Sequence, residues 1–138
     1  MTASAKPLPK SKRRAWTSSL KPKQLGVLGE QRAAQFLISR GFRILDRNIR
    51  VGGGELDIVA WDPHTRELVF VEVKTRTSSF SGDPSLAVDH RKLRALRRAC
   101  HQYRKKYQPQ TSAFRIDLIT VLPGQLRHYP NISWELIK

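Results

Sequence analysis

The sequence of 138 residues predicts one α/β domain, in which a mixed central β-sheet is flanked by α-helices. Three observations predict this class. Apolar residues recur at three- and four-residue spacing in two segments, which is typical of helices. Four segments of alternating or continuous apolar residues between turn signals indicate strands. The order helix, three strands, helix, strand combines both periods in a chain with room for a single core, which excludes a multidomain enzyme.

The elements follow in order along the chain. The first helix begins near Leu25 and ends at Gly41, and its apolar face consists of Leu25, Leu28, Ala33, Phe36 and Leu37. Three strands are predicted at residues 42–51, 55–61 and 67–76, joined by a glycine turn at 52–54 and a second turn at 62–66. The second helix ends before Pro109, and its buried face is predicted to comprise Leu93, Leu96, Cys100, Tyr103 and Tyr107. A strand at 114–121 and a short final strand at 126–129 complete the domain.

The N-terminal segment differs in composition from the rest. It has no acidic residue before Glu30, and its lysines and arginines alternate with proline, serine and threonine. We therefore expect a disordered basic arm at residues 1–22 and a single folded domain at 23–138. An organelle transit peptide is the alternative interpretation of the arm.

The charge of the chain points to a polyanionic partner. The sequence has 26 Lys and Arg residues against 11 Asp and Glu, so the net charge is 26 − 11 = +15. Such a charge attracts nucleic acid, although it can also serve solubility alone. A single cysteine excludes disulfide scaffolds and cysteine-rich zinc sites. Because no stretch is long and apolar enough for a membrane span or a secretory signal, we expect a cytoplasmic protein with no membrane partner.

The strands on either side of the turn at 62–66 bring acidic residues together. If the hairpin is symmetric, facing residues have numbers that sum to 129, so Asp57 faces Glu72 and Glu55 faces Lys74. These four residues then share one face of the sheet. The opposite face is apolar and is predicted to consist of Leu56, Ile58, Ala60, Val69, Val71 and Val73.

Converging carboxylates are tolerated chiefly when a cation lies among them or one takes up a proton. Oxygen ligands without histidine or cysteine favour Mg²⁺ or Mn²⁺. Such an ion polarises a phosphodiester and activates water, and a lysine at the position of Lys74 stabilises the developing negative charge. The alternative is structural: Glu55 and Lys74 form a cross-strand ion pair, and Asp57 and Glu72 merely end the polar face.

Several segments resemble one protein family. They are GEQRAA at 29–34, GFRILDRNIR at 41–50, GGGELDIVA at 52–60, FVEVKTR at 70–76, PSLAV at 84–88 and FRIDLITV at 114–121. Together they are similar to the YraN-like family of predicted endonucleases, and the resemblance extends from Leu25 to Asn131. That family is placed in the restriction-endonuclease-like fold, beside the archaeal Holliday junction resolvases.

The resemblance implies roles for individual residues. It makes Asp57, Glu72 and Lys74 the catalytic residues, and it adds Glu30 and Glu55 to Asp57 and Glu72 as ligands of Mg²⁺ or Mn²⁺. Glu30 lies at the border of the apolar stripe of the first helix, so a solvated glutamate is the alternative there. Leu56 stands where many enzymes of this fold carry proline. Analogy with the resolvases further implies a homodimer.

The second helix is basic along its length. No acidic residue occurs between His90 and Phe114, and we predict that a cationic ridge binds phosphate groups. The predicted nucleic-acid-binding residues are Thr75, Arg76, Arg91, Lys92, Arg94, Arg97, Arg98, Arg104 and Lys105. No motif for reading base sequence is present, which favours recognition of shape or backbone.

Two functions therefore remain from the sequence. The first is a metal-dependent DNA endonuclease that acts on branched or recombination DNA. The second is a non-catalytic nucleic-acid-binding protein on a nuclease-like scaffold, with a structural acidic cluster. The presence of Asp57, Glu72 and Lys74 together favours the first.

Overall fold

The computed structural model describes residues 3–4, 20–77, 89–108 and 113–132. Within these residues the chain forms β1 (Ala3–Ser4), α1 (Pro22–Ser39), β2 (Arg43–Val51), β3 (Gly54–Asp62), β4 (Glu67–Thr75), α2 (His90–Tyr107), β5 (Phe114–Leu122) and β6 (Gln125–Tyr129). All the predicted helices and strands are present. Their ends differ from the predicted ones by three residues or fewer, and the largest shift is at the start of α1.

The described strands form one sheet in the order β1-β6-β5-β4-β3-β2. The chain crosses from β4 to β5 through α2, so these two central strands are parallel, whereas all other neighbours are antiparallel. The prediction of a mixed sheet flanked by helices is confirmed.

Parts of two sequence predictions lie outside the described residues. They are most of the basic arm at 1–22 and the loop at 78–88, which includes the PSLAV segment. Within the arm, Ala3 and Ser4 form β1, which pairs with His128 and Arg127 of β6.

Helix α1 covers one face of the sheet. Its buried residues pack on β3, β4, β5 and β6 in a cluster that includes Leu37, Ile58, Val71 and Ile119. The helix approaches β4 so closely at Gly29 that a Cβ atom there would lie 1.9 Å from Oγ1 of Thr75. Glycine is therefore required at this contact.

Helix α2 covers the other face with a second apolar cluster, in which Leu93, Leu96 and Tyr103 pack on Phe70 and Leu118. The predicted buried stripe is confirmed except at its last member. Tyr107 is 43% exposed, because the final turn of α2 extends beyond the sheet cluster.

The predicted register of the β3–β4 hairpin is confirmed over half its length. Backbone pairs run from Asp62–Glu67 to Ile58–Val71, and the numbers in each pair sum to 129. The described pairing ends there. Beyond it, the carboxylate of Asp57 accepts a hydrogen bond from the Val73 N–H at 2.9 Å.

One face assignment was wrong. Leu56 was predicted to lie with Ile58 on the face that α1 covers, but it packs with Val59 in the α2 cluster. The alternation of strand side chains is therefore interrupted at Asp57. Two local features accompany the interruption: β4 no longer pairs with β3 at this position, and Asn48 of β2, which lies between the partners of Leu56 and Ile58, has a left-handed backbone with φ of 50°.

Candidate functional site

The candidate site lies where β4 ends and β3 begins. Strand β4 contributes Glu72 and Lys74, β3 contributes Asp57, and the first turn of α2 contributes Lys92. The Nζ atoms of Lys74 and Lys92 each lie 3.6 Å from Oε1 of Glu72. The structure thus brings together the three residues predicted to be catalytic, and it adds a fourth.

Glu72 is the most buried member of the site, with 4% of its surface exposed. Its other oxygen, Oε2, is buried and receives no hydrogen bond from a donor group among the described residues, although a proton shared with the adjacent Asp57 carboxyl group would bridge the two acids. Burial, and then repulsion from Asp57, raises the pKa of Glu72 to about 7, although Lys92 and Lys74 both act to lower it. Near neutral pH this carboxyl group is therefore divided between its protonated and ionised forms.

Asp57 is half-buried beside Glu72. Burial raises the pKa of Asp57, and the Val73 N–H and the charge of Lys92 oppose that shift. Since the Val73 N–H bonds to Oδ2, the carboxylate of Asp57 is held in place by the backbone of the neighbouring strand. Two acidic groups in contact, each with a raised pKa, are typical of a site that binds a cation or moves a proton.

The structure gives Lys92 a place that the sequence did not predict. It belongs to the cationic ridge by sequence, but its side chain reaches Glu72. Asp89 is the N-cap of α2, and its carboxylate accepts a hydrogen bond from the Lys92 N–H at 2.8 Å. Sixteen residues lie between Glu72 and Asp89, and no sequence periodicity spans them, so no sequence signal could have identified the contact.

Glu30 of α1 lies on the margin of the site. Burial and then the charge of Asp57 raise the pKa of Glu30, while a hydrogen bond from the Asn48 side chain opposes the shift. The structure therefore places Glu30 near Asp57, as the predicted ligand set requires. Sequence reasoning missed Asn48, although an asparagine within a strand is unusual enough to be a signal.

Glu55, the remaining predicted ligand, is exposed and lies opposite Arg50 of β2. Its charge acts on both Asp57 and Glu30. The predicted cross-strand pair of Glu55 with Lys74 does not form in the described part of the chain, because β3 and β4 no longer pair there and Lys74 contacts Glu72 instead. Residues 50–55 line a cleft of about 450 Å³ at this end of the sheet.

The donors present fit a hard divalent cation. Among the described residues there is no group of three or more His, Cys, Asp or Glu residues arranged to hold a metal ion. Mg²⁺, however, is commonly bound through one or two carboxylates, with water and substrate phosphate completing its shell. Asp57 and Glu72 supply such a pair, and the unpartnered Oε2 of Glu72 is an oxygen that a cation would satisfy.

The basic residues predicted to bind nucleic acid differ in exposure. Arg76, Arg91, Arg94, Arg98 and Lys105 are exposed, whereas Thr75, Arg97 and Arg104 are half-buried. The guanidinium of Arg104 stacks over the ring of Phe114 at 4.4 Å. The ridge is thus a real surface feature of α2, but Arg104 is partly engaged in packing.

Taken together, the fold and the site define an α/β domain with a buried glutamate, a half-buried aspartate and two lysines at one end of its sheet. The chain belongs to a family described as "Uncharacterised protein family UPF0102", which matches residues 29–121. The predicted resemblance to the YraN-like family is confirmed by this match. The matched segment includes Glu30, Asp57, Glu72, Lys74 and Lys92.

Relatives support the same assignment. A UPF0102 protein of Mycobacterium tuberculosis (strain H37Rv) is 48% identical over 101 residues, which cover 73% of this chain and 79% of that protein. One from Mycobacterium sp. (strain KMS) is 42% identical over 116 residues, or 80% of this chain and 86% of that protein.

A solved structure of an EndoMS-dsDNA2 complex is similar over 77% of this chain and 38% of that chain, with 18% identity and a TM-score of 0.41. Likeness of that degree carries no argument about activity. Among the described residues, no helix is long and apolar enough to cross a membrane.

Proposed function

We propose that this protein is a cytoplasmic DNA endonuclease that hydrolyses phosphodiester bonds with Mg²⁺ or Mn²⁺. One observation favours this function most: Glu72 is almost fully buried, lies against Asp57, and has an oxygen that no donor group among the described residues reaches. Buried polar atoms are normally satisfied, so an oxygen of this kind beside a second acid requires either a proton shared between the two acids or a bound cation. The resemblance to the YraN-like family assigns the same residues to the same chemistry.

Asp57 and Glu72 would hold the metal ion. When bound, Mg²⁺ or Mn²⁺ polarises the phosphodiester and lowers the pKa of a coordinated water. The Val73 N–H keeps the Asp57 carboxylate oriented before any ligand arrives, which lowers the entropic cost of binding. Glu30, which accepts a hydrogen bond from the Asn48 side chain and feels the charge of Asp57, would complete the ligand set.

Lys74 has the role of charge stabilisation. The side chain of Lys74 is 22% exposed, so a phosphate can reach it while it remains in contact with Glu72. A cation at this position stabilises the negative charge that develops on the phosphate oxygens or orients the attacking water. The exposed arginines of α2 would bind phosphates on either side of the cleaved bond.

Branched or recombination DNA is the substrate class that the resemblance favours. The archaeal Holliday junction resolvases act on such DNA, and the ridge on α2 offers contacts to backbone phosphates rather than to bases. By the same analogy the active form would be a homodimer. Sedimentation of the free and the DNA-bound protein tests this, and a monomer in both states would contradict it.

A second candidate function has its own supporting observation. Both lysines of the site contact the same oxygen of Glu72, so the cluster is partly compensated without a metal ion. A nucleic-acid-binding protein in which this cluster is structural would have the same ridge and the same salt-sensitive affinity.

Cleavage assays separate the two functions. Junction, flap, duplex and single-stranded DNA are incubated with Mg²⁺ or Mn²⁺ and with wild type, Asp57→Asn or Lys74→Gln. Asp57→Asn retains an oxygen that can accept from the Val73 N–H, so the fold is disturbed little. Lys23→Gln is the control that removes one positive charge elsewhere, because Lys23 is an exposed residue of α1 and is distant in sequence from the site residues on β3 and β4.

The endonuclease proposal expects metal-dependent cleavage that Asp57→Asn and Lys74→Gln abolish while DNA binding persists, with Lys23→Gln equal to wild type. Absence of cleavage on every substrate, together with tight binding that all variants retain, would favour the binding protein instead.

A further inference from the structure

Lys92 connects two parts of the molecule that otherwise have separate roles. Its side chain is 43% exposed, so it shares the solvent-facing surface of α2 with the arginines of the ridge. Its Nζ nevertheless lies 3.6 Å from a carboxylate that is 4% exposed. Its backbone is fixed by the Asp89 cap, which begins α2. A capped first turn therefore presents Lys92 to the buried acid.

The neighbouring ridge residues do not share this contact. Arg91 and Arg94 are exposed, and they lie about 100° and 200° around the helix from Lys92, since successive helical residues turn by about 100°. Among the described residues, the ion pairs of Glu72 are with Lys74 and Lys92. Lys92 is thus the ridge residue whose charge acts directly on the candidate metal ligands, lowering the pKa of both Glu72 and Asp57.

The two lysines leave the oxygens of Glu72 in unequal states. Both ammonium groups lie 3.6 Å from Oε1, whereas no donor group in the described part of the chain reaches Oε2. Lys74 lies two residues after Glu72 on β4, whereas Lys92 lies on α2, the helix that covers this face of the sheet. The attraction of two ammonium groups to the same oxygen, each at 3.6 Å, favours the side-chain orientation in which Oε1 of Glu72 faces the two lysines.

We propose that Lys92 is a positioning residue of the candidate metal site, which holds Oε1 of Glu72 and thereby leaves Oε2 oriented for a divalent cation. This inference rests on the proposed function and deepens it. It assigns Lys92 to the reaction centre rather than to phosphate binding alone. Groups that hold a metal ligand in place typically change metal affinity or activity by tenfold or more when removed.

The first test measures the metal response of the DNA-free protein. Thermal unfolding is followed during titration with Mg²⁺ for wild type, Lys92→Gln, Lys92→Arg and the matched control Arg94→Gln. Ligand stabilisation grows with the logarithm of ligand concentration and does not saturate, so the variants are compared by the Mg²⁺ concentration that raises the unfolding temperature by a fixed amount. We expect this concentration to rise about tenfold in Lys92→Gln, to return toward wild type in Lys92→Arg, and to stay unchanged in Arg94→Gln. Unfolding in chelator reports whether each variant is folded before metal is added.

The second test separates rate from binding. Single-turnover cleavage and DNA affinity at several salt concentrations are measured for the same four proteins. Lys92→Gln is expected to lose about tenfold or more in cleavage rate beyond any loss of affinity. Arg94→Gln is expected to weaken DNA binding and to lower the salt slope by about one.

The outcomes distinguish this inference from the proposed function. If wild type cleaves DNA and responds to Mg²⁺, but Lys92→Gln differs only in DNA affinity and salt slope as Arg94→Gln does, Lys92 is a phosphate contact and the inference is overturned. If wild type neither cleaves DNA nor responds to Mg²⁺ or Mn²⁺, the proposed function fails first and the inference fails with it.

Discussion

The two ends of β4 carry buried acidic clusters that differ in how their charges are satisfied. At the beginning of the strand, the guanidinium of Arg115 bonds to Asp62, Glu67 and Asp117 at 2.9 Å each. Asp117 also bonds to His128 at 2.7 Å and accepts from the Asn131 N–H. Both oxygens of the fully buried Asp117 therefore have partners.

At the other end of β4, Glu72 is as buried as Asp62, but its partners are two lysines at 3.6 Å on a single oxygen. The pKa values differ accordingly. Burial acts to raise the pKa of Asp62, but bonds from Arg115, the His64 N–H and Thr65 together hold it below its usual range. The pKa of Glu72 is instead raised to about 7. The first cluster is complete without a ligand, and the second has an unused acceptor.

The largest expected effect is on the complete cluster. Arg115→Gln leaves Asp62 and Asp117 buried without their cation, which typically costs about 3–5 kcal/mol of unfolding free energy. Urea denaturation measures the loss, and Arg43→Gln, an exposed arginine on β2, is the control with an expected change within about 0.5 kcal/mol. A loss at Arg115 no larger than at Arg43 would contradict the structural role of the cluster.

Glu72→Gln should stabilise the protein at pH 8 more than at pH 5. The folded-state pKa of Glu72 is raised above its ordinary value, so its contribution to stability is present below about pH 4.5 and is lost as the pH rises through about 7. The difference amounts to about 3 kcal/mol at most. Urea denaturation in chelator at both pH values measures it, and equal effects of the substitution at pH 5 and pH 8 would contradict the raised pKa.

Gly29→Ala should destabilise the site end of β4. The added Cβ would meet Thr75 at 1.9 Å, and overpacking of this kind typically costs about 1–3 kcal/mol. Gly26→Ala, in the same helix with no atom within 4 Å of its added Cβ, is the matched control and should stabilise by about 0.5–1 kcal/mol. Thermal unfolding of both variants tests this prediction. A change of the same sign in the unfolding temperature of Gly29→Ala and Gly26→Ala would contradict a specific contact with Thr75.

The smallest effect on stability is expected for Lys74→Gln. Lys74 is partly exposed and its ion pair is long, and Glu72 can take up a proton when the lysine is lost, so the expected cost is below about 1 kcal/mol. Cleavage should nevertheless be abolished. If Lys74→Gln instead lost as much stability as Arg115→Gln, the ion pairs at both ends of β4 would stabilise the fold to a similar extent, which would favour a structural role for both clusters.

Much of the fold could be predicted because it depends on short-range patterns. The hydrophobic spacing of α1 and α2 and the alternation in β3 and β4 identified these four elements, whereas β1 lies in the segment predicted to be a disordered arm. The symmetric turn predicted the register of the hairpin, and hence the approach of Asp57 to Glu72. Where the local backbone departs from a regular strand, at Asp57 opposite Asn48, the same rule misplaced Leu56.

Part of the site depends on contacts between distant segments. Lys92 reaches Glu72 across the loop between β4 and α2, and Asn48 reaches Glu30 between β2 and α1. No spacing rule relates such residues, because the loop lengths and helix docking angles decide which side chains meet. The predicted pairing of Glu55 with Lys74 is absent from the described strand pairs, which end at Ile58–Val71, and Lys74 contacts Glu72 instead.

The sequence by itself determined the class of fold, the strongly basic charge and the types of residue at the site, because periodicity, composition and strand register are local properties of the chain. Only the tertiary structure decided which buried acid is satisfied. Arg115 provides several donors in a fixed planar group at one end of β4, while the two lysines at the other end approach Oε1 of Glu72 and no described donor group reaches Oε2. That difference depends on how two helices and five long strands pack, which no single segment specifies.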